Sequence, residues 1–185
     1  MNVAIVGAGF AGLSTAKILK SCGHRVTIFE KESDLGGVWS ASRRYPGLTT
    51  QNVRSTYALS DFPYPTDYPE WPSGEQVQQY LEEYASHFGL YDNLRLETKV
   101  TSAVLDETAQ SWENARVHAD ATATETFDYL VVCNGIFSQP ALPDFEGAEA
   151  FIHRGGKVIH SSEFHEVESL RVHSPPLCGV KWQDE

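Results

Sequence analysis

Residues 3–12 read VAIVGAGFAG and, after a helical pattern over residues 13–22, residues 25–30 read RVTIFE. An apolar run, three glycines in G-x-G-x-x-G spacing, a helical pattern and a second β-rich run indicate strand, turn, helix and strand in that order. The first thirty residues therefore predict a βαβ unit, in which a helix joins two parallel strands.

The three glycines of this run each have a physical role in that interpretation. Gly7 permits the tight turn, Gly9 lets a pyrophosphate approach the backbone, and Gly12 lets the helix pack close to the strand. The helix would begin near Phe10, so that the unpaired amides of its first turn, including that of Ala11, face the phosphates. The pattern predicts a Rossmann-like dinucleotide site formed by these five residues.

An acidic residue ends the second strand of this unit. Glu30 follows Gly12 by 18 residues, which suits a carboxylate that accepts hydrogen bonds from ribose hydroxyls and repels the extra 2′-phosphate of an NADP-type ribose. The first site is therefore predicted to take FAD or NAD. A glycine-rich turn that binds nothing is the alternative, and the agreement of strands, helix, glycines and acid disfavours it.

Composition limits the class of protein and of partner. The 185 residues, of which 41% are hydrophobic and 21% charged, are ordinary for one soluble globular domain. The net charge of −11 argues against a nucleic-acid or anionic-membrane partner. We expect a cytoplasmic protein, because the chain shows no long apolar run and no leader. Three cysteines and seven histidines lack metal-ligand spacing, so no metal is predicted.

A second glycine turn follows the acidic residue. Residues 36–39 read Gly-Gly-Val-Trp, with a tryptophan expected to be exposed, and a plain NAD-binding unit has no particular need for them. From here the chain resembles the flavin-containing monooxygenases and related Baeyer-Villiger enzymes (class B flavoprotein monooxygenases), whose FAD site carries a G-G-x-W element. The resemblance implies FAD as the cofactor, with Lys31, Gly37, Val38 and Trp39 among its contacts.

The resemblance extends to a loop that carries the candidate catalytic residue. Residues 43–52 read RRYPGLTTQN and residues 60–65 read SDFPYP, similar to the family's Y-P-G loop, its asparagine and its D-F-P segment. In that family the asparagine lies near the flavin ring and helps to position the oxygen adduct or the nicotinamide. Asn52 is therefore the candidate catalytic residue and a further cofactor contact. The alternative is a turn asparagine that hydrogen-bonds its own backbone.

The rest of the chain predicts the outer parts of the fold. In order, we expect a packed aromatic loop over residues 57–72, a helix from a capping box at 73–76 to Gly89, a third parallel strand over 94–98, an antiparallel meander over 101–105, 115–119 and 124–127, and a buried parallel strand over 127–135. The Asn134-Gly135 pair resembles the family's T-G element. The resemblance implies that Val100, Asn134 and Gly135 also contact FAD.

The resemblance covers residues 1 to about 170. A family member would then enter a second G-x-G-x-x-G/A run, the start of its NADPH domain, whereas residues 171–185 show no strand periodicity and contain a Pro-Pro break. We therefore expect an incomplete FAD-binding domain over 1–170, from a truncated two-dinucleotide-binding architecture, and an unrelated-looking tail over 171–185.

The resemblance also implies an activity. The full family reaction inserts one oxygen atom from O2 into a nitrogen-, sulfur- or carbonyl-bearing small molecule with NADPH as reductant, and we expect this chain to be inactive alone. Arg154 and Phe164 depart from the Baeyer-Villiger fingerprint, which has phenylalanine and tryptophan there. Two alternatives stay open: a non-catalytic FAD-binding remnant, and another two-dinucleotide-binding oxidoreductase of the disulfide-reductase type, which the lack of a closely spaced cysteine pair disfavours. The oligomeric state is not predicted.

Overall fold

The computed structural model describes residues 1–118, 121–136 and 139–165, with the side chains of 114–118 left out. Its helices and longer strands are β1 (Asn2–Val6), α1 (Phe10–Ser21), β2 (Arg25–Phe29), α2 (Gly74–His87), β3 (Leu94–Arg95), β4 (Thr98–Asp106), β5 (Ser111–His118), β6 (Ala121–Phe127), β7 (Tyr129–Val132) and α3 (Ala148–His153). The predicted boundary near residue 170 and the predicted tail lie outside the described residues.

A parallel sheet forms the centre of the described fold. Its strand order is β3-β2-β1-β7, and each of these pairings is parallel. Ile5 of β1 lies between Ile28 of β2 and Val131 of β7. Val3 and Ile5 belong to the main core cluster and Ala4 to a second, smaller cluster, so both faces of β1 are covered, and this explains why the strand is apolar at successive positions. The predicted βαβ unit and parallel sheet are confirmed.

Helix α2 packs its apolar face on the core beside α1. Val77, Tyr80, Leu81 and Tyr84 recur at helical spacing and are each at most 1% exposed. The predicted capping box is present: the Ser73 hydroxyl accepts from the N–H of Gln76 at 3.3 Å, and the Gln76 side chain accepts from the N–H of Ser73 at 2.9 Å. Local sequence therefore predicted both the start and the buried face of this helix.

The aromatic loop after the second glycine turn is packed, as predicted. Tyr64 stacks on Tyr80 of α2 with ring centroids 3.9 Å apart, and Phe62 lies edge-on to Tyr84 at 5.5 Å. Burial raises the pKa of Tyr84 to about 12. These rings cover α2, so loop packing accounts for Phe62 and Tyr64, whereas Trp71 of the same segment is 51% exposed.

The predicted meander is confirmed, with longer strands than expected. Strands β4, β5 and β6 form a separate antiparallel sheet in that order. The end of β6 returns to the main sheet, where the Phe127 ring lies edge-on to Phe29 at 5.7 Å. This contact joins the second sheet to the first through a small apolar cluster that also contains Ala4.

Two predicted strands differ from the structure. The third parallel strand is only Leu94–Arg95, because the chain takes a positive φ of 50° at Glu97 and then enters β4. The last strand was predicted to be buried over 127–135, but β7 ends at Val132, where the side chain is 62% exposed. Among the described residues β7 pairs with β1 alone, so one edge of the strand is open.

Candidate dinucleotide site

The first glycine turn joins β1 to α1 and depends on two close backbone approaches. Gly7 has a φ of +105°, and a Cβ there would lie 2.4 Å from the carbonyl oxygen of Cys133. A Cβ at Gly12 would lie 1.9 Å from the carbonyl oxygen of Gly7. Both positions therefore exclude larger residues. The packing roles predicted for them are confirmed, while their contact with a ligand stays a prediction.

The N-terminus of α1 is left without a side-chain cap. Gly9 is the N-cap residue and has no side chain to accept from the first turn. The amides of Phe10, Ala11 and Gly12 stand in that turn, where an α-helix provides no intrahelical acceptor. Uncapped amides at the positive end of a helix dipole suit a phosphate.

Glu30 lies directly against this turn. The residue is 6% exposed, and its Oε2 accepts from the backbone N–H of Ala8 at 2.8 Å. Its Oε1 accepts from the N–H of Glu32 at 3.1 Å. A carboxylate has about four acceptor positions, so capacity remains for ribose hydroxyls. The sequence did not predict that the same carboxylate also ties the end of β2 to the glycine turn.

The second glycine turn packs on the first. Gly36 and Gly37 have φ values of +126° and +62°, and the N–H of Gly36 donates to the carbonyl of Ala8 at 3.0 Å. A Cβ at Gly37 would lie 3.3 Å from the Cα of Gly9. The fold thus brings together two glycine turns that the sequence separates by more than twenty residues.

The expectation that Trp39 is exposed is wrong. The residue is 9% exposed, and its indole N–H donates to the hydroxyl of Tyr57 at 3.2 Å. The Tyr57 ring in turn lies edge-on to Phe10 of α1 at 5.1 Å. The indole is buried because the aromatic loop offers both apolar surface and a partner for its one polar atom. Burial raises the pKa of Tyr57, against a smaller lowering by the bond from Trp39.

Other predicted contacts lie at the surface or beside the core. Lys31 is exposed and forms an ion pair with Glu32 at 3.6 Å, and Val38 is also exposed. Val100 is half-buried in β4, against the small apolar cluster around Phe29. None of these positions is contradicted, and their contact with a cofactor stays a prediction.

The candidate catalytic asparagine is accessible. Asn52 is exposed at a bend, and within the described part of the chain its side chain makes no hydrogen bond. The bond to its own backbone that the turn alternative requires is therefore absent. Asn134 and Gly135 are exposed just beyond β7, and Gly135 has a φ of +74° with open space around its Cα.

Two negative observations apply to the described residues only. Over residues 1–118, 121–136 and 139–165, no group of three or more His, Cys, Asp or Glu side chains could hold a metal ion. Over the same ranges, no helix has the length and apolar character needed to cross a bilayer.

A surface cleft runs along the Tyr-Pro-Gly loop, between residues 44–49 and the start of α2. It is distinct from the glycine turns, so we do not assign the dinucleotide to it.

Known proteins resemble the chain over most of its length. The family model for flavin-binding monooxygenase-like proteins matches residues 1–174. Dimethylaniline monooxygenase (N-oxide-forming) 4 of Rattus norvegicus is 35% identical over 184 residues, which are 92% of this chain and 32% of that protein. The chain thus spans about a third of the length of this curated relative.

Solved structures of monooxygenases share the fold. S-allyl-L-cysteine S-oxygenase from Allium sativum superimposes with a TM-score of 0.69 at 30% identity, over 78% of this chain and 38% of that one. The complex of OTEMO with FAD and NADP superimposes with a TM-score of 0.68 at 25% identity, over 80% of this chain and 28% of that one. The predicted cofactors, FAD and NADPH, agree with the cofactors in the OTEMO complex.

Proposed function

The chain belongs to the flavin-binding monooxygenase-like family, and from this premise we propose that residues 1–170 form the FAD-binding part of an NADPH-dependent monooxygenase. The observation that carries the proposal is the contact between the two glycine turns, in which Gly37 lies on Gly9 at the uncapped start of α1. A single glycine turn would suit any dinucleotide, whereas the second turn is the one that the flavin family resemblance requires.

The residues present fit FAD. The first-turn amides of α1, including those of Phe10 and Ala11, would bind the pyrophosphate, and the buried carboxylate of Glu30 would accept from the adenosine ribose. When bound, FAD supplies the redox and oxygen chemistry. The protein holds the cofactor, orients it and excludes water. We further propose that Lys31, Gly37, Val38, Trp39, Val100, Asn134 and Gly135 line the cofactor, as predicted above.

The proposed substrate is a small molecule that carries an oxidisable nitrogen, sulfur or carbonyl group. Support for nitrogen and sulfur comes from the relatives, one of which is named for N-oxide formation and another for S-oxygenation. Reduction by NADPH needs a second nucleotide site, and the sequence of residues 1–170 has no second G-x-G-x-x-G run, so we propose that these residues alone are inactive. We further propose that residues 171–185 form a separate tail and that the protein is cytoplasmic.

Binding of FAD by the purified chain tests this function. The Glu30→Gln variant should bind FAD more weakly by roughly tenfold or more, because a charged hydrogen bond is worth about 1.5–3 kcal/mol. The exposed Glu107 provides a matched control, and Glu107→Gln should leave the affinity unchanged. Equilibrium dialysis measures the affinity of each variant for FAD and for FMN. Preference for FMN, which lacks the adenosine ribose, would contradict the assignment.

The role of Asn52 needs the complete enzyme. We propose that its exposed amide contributes to the reaction centre, so that Asn52→Ala consumes NADPH normally but releases hydrogen peroxide in place of product. The ratio of oxygenated product to NADPH oxidised measures this coupling. The neighbouring Gln51 is also exposed, and Gln51→Ala serves as the control. Normal coupling in Asn52→Ala would return Asn52 to a structural role.

A further inference from the structure

The loop around the second glycine turn is closed by a carboxylate that the proposed function leaves unassigned. Asp34 precedes the turn, and its Oδ2 accepts from the backbone N–H of Ala41, which follows the turn, at 2.7 Å. Its Oδ1 accepts from the hydroxyl of Ser42 at 2.9 Å. One side chain therefore bridges the two ends of the segment that carries residues 36–39.

A buried amide from α2 completes this closure. Gln78 is 7% exposed, and its Nε2 donates to Oδ2 of Asp34 at 2.7 Å and to the carbonyl of Leu35 at 3.2 Å. Its Oε1 accepts from the guanidinium of Arg44, which also donates to the carbonyl of Trp39 at 3.4 Å. Both polar atoms of the amide are thus bonded, as a buried amide requires.

The side chain of Gln78 also lies close to the second glycine turn itself. A Cβ added at Gly36 would lie 3.4 Å from Cγ of Gln78, so this side chain is within van der Waals contact of that position. The second turn also meets the first glycine turn, through the contact of Gly37 with Gly9 and the bond from Gly36 to Ala8. The second turn therefore lies next to both Gln78 and the first glycine turn.

We propose that Gln78 is a positioning residue for the cofactor: acting through Asp34 and Leu35, it holds the turn over residues 36–39 against Gly9 before the dinucleotide binds. The inference rests on the proposed function, since it assumes that this turn contacts FAD. A turn that is already ordered does not have to be ordered on binding, and affinity rises accordingly. Loss of the amide should leave the fold intact and weaken binding.

The experiment compares Gln78→Leu with Gln79→Leu in the full 185-residue chain. Gln79 is the next residue of α2 and is exposed, and its side chain donates to Glu83 at 2.9 Å. Gln78→Leu should raise the Kd for FAD about tenfold, and Gln79→Leu should not. Hydrogen exchange of the peptide over residues 34–44, measured without FAD, should become faster in Gln78→Leu alone. The melting temperature confirms that each variant is folded.

Two further variants separate positioning from a general loss of stability. Gln78→Glu keeps the size of the side chain and the bond to Arg44 but loses both donated bonds, so it should show the same faster exchange and weaker binding. In Asp34→Ala combined with Gln78→Leu, the fold-loss of affinity should be smaller than the product of the two single losses, because both variants remove the bond between Asp34 and Gln78. Losses that multiply would overturn the proposal.

The two readouts distinguish the proposal from the function on which it rests. If the unmodified chain binds no FAD, the proposed function fails, and exchange over residues 34–44 alone decides whether Gln78 positions the turn. Exchange and affinity in Gln78→Leu that match those of Gln79→Leu would overturn the inference. Faster exchange confined to that peptide would support it.

Discussion

At the scale of single residues, two glycines separate the steric cost of adding a Cβ from the cost of a left-handed backbone conformation. Gly12 has no positive φ, yet a Cβ there would lie 1.9 Å from a backbone oxygen, whereas Gly23 has a φ of +80° with nothing within 4 Å of its Cβ position. We expect Gly12→Ala to cost about 3 kcal/mol of unfolding free energy, because the clash is with rigid backbone.

Gly23→Ala is the matched variant, and it measures the cost of the backbone conformation without a steric clash. Gly23→Ala should cost roughly 1 kcal/mol, the penalty of a left-handed backbone for a residue with a Cβ. Urea unfolding of the two variants side by side measures the difference. Equal losses in the two variants would show that the helix moves to accommodate the methyl group, and that the close approach at Gly12 is not a constraint.

A second prediction at this scale concerns charge beside the proposed positioning residue. Burial raises the pKa of Glu82, and the nearby carboxylate of Asp34 raises it further. A group whose folded pKa is raised contributes stability below its unfolded pKa and loses that contribution as the pH rises through the folded value. Glu82→Gln should therefore raise the melting temperature at pH 7, by at most about 2 °C because the group is only partly buried.

The pH dependence provides the control for this prediction. At about pH 3 the carboxyl of Glu82 is protonated in both the folded and the unfolded state. Glu82→Gln should then have the same melting temperature as the unmodified chain. Glu107 is exposed in a turn, so Glu107→Gln should change neither melting temperature. A gain for Glu82→Gln that persists at pH 3 would point to packing and not to charge.

At the scale of elements, α2 is the helix on which the candidate site depends, and its start is defined by a reciprocal cap. Ser73→Ala removes the hydroxyl that accepts from Gln76 and should cost about 1 kcal/mol. Ser86 lies exposed in the last turn, and Ser86→Ala should be neutral or slightly stabilising. Denaturant unfolding measures both variants, and similar costs would argue that the cap contributes nothing.

The same element marks the limit of prediction from sequence. The cap and the buried face of α2 follow from residues within four positions of each other, and both were predicted. The bond from Gln78 to Asp34 joins positions 44 residues apart, and no local pattern announces a partner at that distance. A glutamine on the apolar side of an amphipathic helix was the one available signal, because a buried amide needs bonded partners.

At the scale of the whole molecule, prediction succeeded for features that follow from a local sequence pattern. It failed where the burial of a side chain depends on residues that are distant in the sequence. The glycine turn, the parallel sheet and the meander were predicted from spacing and periodicity. The burial of Trp39 was not, because it depends on Tyr57 in a loop of irregular structure. The exposure of Val132 was missed because a continuous apolar run indicates a strand that is covered on both faces, whereas Val132 at the end of β7 is 62% exposed.

The last prediction follows from the number of nucleotide sites that the sequence encodes. The 185 residues contain one G-x-G-x-x-G run, and Glu30 beside it disfavours the 2′-phosphate of NADPH. Hydride transfer needs donor and flavin held in near-attack geometry, which supplies a large part of the rate enhancement. We therefore expect the FAD-loaded chain alone to show no saturable reduction by NADPH.

Anaerobic stopped-flow mixing tests this expectation, because reduction bleaches the flavin absorbance. Dithionite is the control: it should bleach the bound flavin fully, which shows that the cofactor is reducible and that a missing hydride donor site explains the lack of reaction with NADPH. Rapid bleaching that saturates with NADPH would contradict the prediction. It would mean that the 185 residues hold both nucleotides, and that a second site exists with no glycine signature of the kind on which this interpretation depends.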